Sequence, residues 1–254
     1  MAPPLVSNMA NSWQVNLYLA TAVGAACLLH YLLSDNPIFA SATSAPSRNR
    51  AQDMTKAECI ELLKGIVKSQ EETKIVMKKL TSDLINNPLR LEQVYTKASQ
   101  MQPEDPMEQW GVTVIDLDHL IEKYQHDPIV KDYILKIMNS PGINDTTLSD
   151  DVRNITISQI LAIHEYMLSE LESVVREFKS LQNRQTMEIK TLTIAAQAIV
   201  AAKVEEKFNL TSDQVESAVI INHAELTASH AFTRLTMQMQ TEMSELIGCQ
   251  FPGW

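Results

Sequence analysis

Residues 157–181 read ISQILAIHEYMLSELESVVREFKSL, and their periodicity decides the fold. Ile157, Leu161, His164, Leu168, Leu171, Val175 and Phe178 alternate spacings of four and three, the mark of an apolar seam along a helix. Ile160, Met167, Val174 and Leu181 widen that seam, which favours bundle packing over an isolated two-stranded coil. His164 is the polar member of the seam, and a polar core residue there fixes register. The stretch lies inside a longer run, Ile143 to Ile247, that contains neither Gly nor Pro. Helices are the usual way for a chain to go so far without either.

Residues 143–248 therefore read as a long antiparallel helical hairpin. Asn183 to Thr186 is polar and offers a bend. Ile189 to Ala202 is apolar on several sides and holds Lys190 and Gln197, so it reads as a buried core helix, too short for a membrane span. Asn209 closes the first arm. Thr211-Ser212-Asp213-Gln214 is a capping box that opens the second, and Gly248 supplies a C-cap.

Toward the N-terminus, residues 54–142 read as a region of shorter helices. Thr55-Lys56-Ala57-Glu58 is a capping box, and the helix behind it extends to about Asn86. Its apolar stripe is Ile60, Leu63, Val67, Val76, Met77, Leu80 and Leu84. Asn87-Pro88 is expected to start the next helix, with Asn as N-cap and Pro at the first helical position. Residues 101–111, with Pro103 and Pro106, read as irregular. Thr113 caps a further helix, and Asp127-Pro128 begins another, ended by Pro141-Gly142.

Residues 13–33 carry a different signal. From Leu17 to Leu33 no residue is charged, and with Trp13 to Asn16 the run is 21 residues long. That suffices to cross a hydrocarbon core of about 30 Å. Trp13, Tyr18 and Tyr31 stand toward its ends as interfacial anchors. Ala20 and Gly24, and likewise Ala22 and Ala26, are four apart, a spacing that lets another membrane helix approach closely. Ala40-Ser41-Ala42 resembles a signal-peptidase site. The preceding Met1 to Ser12 has no Lys or Arg, however, so an uncleaved anchor is the better reading. Arg48, Arg50 and Lys56 follow the span, which orients the large domain to the cytosol or the mitochondrial matrix. Residues 1–12 are then a tail, 34–53 a Pro/Ser/Ala-rich linker and 249–254 a C-terminal tail. The expected fold is all-α: a single N-terminal transmembrane helix, then a helical bundle ending in the long antiparallel hairpin.

Charge is uneven along the chain. Residues 36–97 hold ten Lys/Arg against seven Asp/Glu, whereas 98–254 hold eleven against twenty-three. An acidic distal domain argues against nucleic acid, which needs a basic face to neutralise phosphates. Cys27, Cys59 and Cys249 are too few and too scattered for a disulfide framework or a zinc site. Six glycines form no phosphate loop, and no nucleophile-elbow, zinc-protease or EF-hand pattern occurs. His223 and His230 share a helix face but stand about 10.5 Å apart, too far for one metal ion. Met237, Met239 and Met243 serve either as core or as an adaptable binding surface.

These features predict a non-enzymatic chain with no cofactor, metal or small-molecule substrate. Its partners would be the lipid bilayer and other protein subunits. The expected role is that of an accessory subunit in a large membrane complex, with the mitochondrial inner membrane (a respiratory or ATP synthase complex) favoured and the C-terminal domain in the matrix or cytosol. The alternative is a membrane-anchored tether or receptor that presents acidic helices to basic proteins.

Overall fold

The computed structural model describes residues 53–138 and 150–246. Every regular element among them is helical: α1 (Lys56–Asn86), α2 (Leu91–Met101), α3 (Pro106–Trp110), α4 (Val114–Tyr124), α5 (Pro128–Met138), α6 (Asp150–Arg153), α7 (Ile157–Ser180), α8 (Ile189–Phe208), α9 (Ser212–Ile221), α10 (His223–Ala228) and α11 (His230–Leu246), with a 3-10 turn at Arg184–Thr186. No helix among the described residues is long and apolar enough to cross a membrane. The expected span at 13–33, its anchors Trp13, Tyr18 and Tyr31, its small-residue pairs, the tails and all but the last residue of the linker lie outside the described residues.

Of the described residues, 76–102 and 150–246 form one compact unit, and 53–75 with 103–138 form another. The first unit is built around α8. Twelve of its residues are buried, among them Leu192, Ile194, Ala195, Ala196, Ala198 and Val204. Every residue from Thr191 to Ala198 is buried, in line with a segment 189–202 that is apolar on several sides. Its alanines leave little side chain between backbones, so neighbouring helices can come close. α2, α7 and α9 all pack against it, and α7 carries α11 on another side.

Several local signals set these boundaries. Thr156 and Gln159 cap α7 reciprocally, with Thr156 N–H to Gln159 Oε1 at 2.8 Å and Gln159 N–H to Thr156 Oγ1 at 3.3 Å. Leu181 leaves the helix in an extended conformation. Glu188 then opens α8 by accepting from the N–H groups of Lys190 at 3.0 Å and Thr191 at 2.7 Å. Asn209, at φ 55°, adopts the left-handed conformation that ends a helix. Thr211 and Gln214 form the anticipated box over α9, with bonds of 2.8 and 3.3 Å.

The hairpin reading of 143–248 needs correction. The two long arms are five α-helical segments of four residues or more from α7 to α11. The second arm breaks at Asn222 and Ser229. Asn222 Nδ2 donates to the Ala218 carbonyl at 2.8 Å, and Ser229 Oγ accepts from Phe232 N–H at 3.3 Å. Such short polar side chains offer the backbone an alternative to the helical ladder. The start of α2 also differs from expectation. It begins at Leu91, not at Pro88, and its first N–H donates to the carboxylate of Glu177 on α7 at 3.1 Å. A cap supplied 86 positions away in sequence is invisible to local reading.

The second unit has its own core: Met54, Cys59, Leu62, Leu63 and Ile66 with Met107, Val112, Leu117, Leu120, Val130 and Ile134. The carbonyl of Met54 accepts from Tyr124 Oη at 2.8 Å and from Lys123 Nζ at 3.1 Å, and Lys56 pairs with Asp127 at 2.8 Å. These bonds tie the start of α1 to the end of α4. Residues 101–111 are not wholly irregular. Asp105 caps the short α3 through Met107 N–H at 2.9 Å, with Pro106 at its first position and Gly111 in the left-handed conformation after it. A Cβ added at Gly65 would lie 3.1 Å from the Cβ of Pro106, so glycine there allows α1 and Pro106 to approach closely. Cys59 has no exposure, and burial pushes its thiol up to about 11.

Candidate interaction surface

α11 presents two faces. The inner one packs on α7, with Phe232, Leu235 and Leu246 buried. The Phe232 ring stands edge-on to the His164 ring, centroids 4.9 Å apart and planes at 64°. His164 has no exposure, and its Nδ1–H donates to the Ile160 carbonyl at 2.8 Å. Because a carbonyl can only accept, that bond fixes the neutral tautomer, and Nε2 is left buried without a partner. Burial holds the imidazole below its usual range. At the other end of the contact Lys179 on α7 pairs with Glu245 on α11. Nearby Glu242 is held above the ordinary carboxyl range by burial first, then by Glu245 and Glu172.

The outer face of α11 forms an open groove of about 550 Å³ with the end of α10. Thr227 and Ala228 supply one wall, while His230, Arg234, Met237 and Thr241 line the rest. Thr233, Met237 and Thr241 recur every four residues and so stack on one stripe. Met237 is 58% exposed, whereas Met239 and Met243 are half-buried, so the methionines of α11 divide between surface and core. The threonines bond back into the helix, Thr233 to the Ser229 carbonyl at 3.2 Å and Thr241 to the Met237 carbonyl at 3.0 Å. Arg234 has no ion-pair partner among the described residues.

The seam residues of α7 occupy different depths. His164, Leu171 and Val175 are buried; Ile157, Leu161, Leu168 and Phe178 are half-buried. The deepest line also includes Ile160, Ile163, Met167 and Val174. Tyr166 reaches instead to the end of α8, where Phe208 meets its ring edge-on at 5.7 Å and Lys207 Nζ lies 3.7 Å from its centroid. Sequence reasoning did not single out Arg234, His230 or Thr227 as a group. The four-residue recurrence of Thr233, Met237 and Thr241 was the available signal.

Among the described residues no group of three or more His, Cys, Asp or Glu is arranged to hold a metal ion. In class, then, the described residues make an all-α protein whose notable surface is an apolar groove with one free cation. No family model, no curated protein and no solved structure matches the chain.

Proposed function

We propose that the chain is a membrane-anchored, non-catalytic helical subunit of a larger membrane protein complex. The observation that carries this reading is the uncharged run from Leu17 to Leu33 ahead of a chain whose described regular elements are all helical. An uncharged segment of that length is stable in hydrocarbon, while helices with outward apolar groups suit contact with other chains. Large apolar side chains do face outward: Ile115 is 64% exposed, Ile129 52% and Met237 58%. The mitochondrial inner membrane is the proposed setting, because its complexes gather single-span helical subunits and the three scattered cysteines suit a reducing compartment.

Alkaline carbonate extraction tests the anchor: the protein stays with the membrane pellet, and release into the supernatant overturns the anchor. Mild-detergent extraction followed by native-gel mass spectrometry tests the subunit role. Co-migration with other chains at high mass is expected, and migration alone at monomer size overturns it. The acidic balance of residues 98–254 favours a second reading, a tether for basic proteins. That reading predicts salt-sensitive binding of basic peptides by a chain that otherwise migrates alone.

A further inference from the structure

The groove on α10 and α11 has one residue with a permanent charge in its lining, Arg234. The chain has 31 acidic against 21 basic side chains, yet no Asp or Glu lines this groove. Arg234 sits there exposed and without an ion pair among the described residues. The lining residues from His230 to Thr241 span about 16 Å of α11, three turns of helix. Their side chains are small or adaptable: Ala228 and the threonines let another backbone come near, and Met237 reshapes to fit what it meets. We propose that this groove docks an acidic amphipathic helix from a partner chain; the inference rests on the subunit reading above. Charge selects that occupant. Arg234 lines the groove with no carboxylate beside it in the lining, so an acidic helix gains a charge partner there and a basic one meets repulsion.

The test uses the full-length protein in its native membranes, with photoreactive benzoylphenylalanine at Met237. Irradiation is expected to give an adduct with a segment of another chain that carries Asp or Glu at three- and four-residue spacing beside apolar positions. Arg234→Glu is expected to lower the adduct yield at least tenfold while leaving the helical circular dichroism unchanged. The same probe at exposed Ser169 on α7 gives no such adduct. An intact high-mass complex with no adduct at Met237, or with an adduct to lipid, to a basic segment or to a second copy of this chain, overturns the inference alone. A chain that migrates by itself overturns the subunit reading and this inference together.

Discussion

His164 combines complete burial with a ring nitrogen that has no partner. Protonation would place a cation among apolar groups, so the folded state favours the neutral ring and its pKa lies below the usual 6.5. The unfolded chain therefore binds a proton that the folded chain refuses as pH falls below about 6.5. Stability is lost through that window, with a limiting slope of about 1.4 kcal/mol per pH unit. Urea unfolding at pH 7.5 and 5.5 should show it, and His164→Leu should reduce the slope; an unchanged slope would remove His164 as its source. Gln197 presents a simpler case on α8, where its Nε2 is buried without an acceptor. Gln197→Met keeps the volume and removes the stranded donor, which should raise stability by about 1 kcal/mol. A drop in the denaturation midpoint would contradict this.

At the level of elements, ends and close approaches decide where helices lie. The Glu177 carboxylate holds the first N–H of α2, so Glu177→Ala should cost about 1 kcal/mol, and Glu177→Gln should recover most of it by keeping an acceptor. If both variants lose the same stability, the cap is not what Glu177 contributes. At Gly65 an added methyl group would press on the ring of Pro106, which sits at the first turn of α3, and a larger side chain would press harder. Gly65→Leu should cost about 1–3 kcal/mol by overpacking, despite the better helix propensity of Leu. A midpoint equal to or above that of the parent protein would refute it. These two contacts also mark the limit of what the sequence conveys. The boxes at Thr55 and Thr211, the left-handed stop at Asn209 and the all-round burial of 189–202 depend on residues a few positions apart, and they were legible. The start of α2 depends on a partner distant in sequence, the interruptions at Asn222 and Ser229 on competing polar side chains, and the groove on the break at Ser229 between its two helices. Periodicity reports only which face is apolar; the burial of Ile163 and the outward turn of Met237 follow from neighbours on other helices.

For the molecule as a whole, chain order and packing order differ. Residues 76–102 pack in the same unit as 150–246, so α8 meets α2 directly, and Tyr95 Oη accepts from Glu188 N–H at 2.8 Å. Contacts so far apart in sequence form late and exact a loop-closure cost. Deleting residues 76–102 would remove one wall of α8 and open part of its buried surface to solvent. Such a chain should lose the cooperative transition of the 150–246 helices, read as a broadened thermal unfolding curve. A sharp transition at the parent midpoint would show that α2 is dispensable.

The sealed sulfur of Cys59 makes the protein its own clock. A thiol with no exposure and so little thiolate cannot meet an aromatic disulfide reagent until the helices around it part. With Cys27 and Cys249 changed to Ser, the rate at which reagent colour develops would measure how often that unit opens, molecule by molecule, under conditions where nearly all of it remains folded.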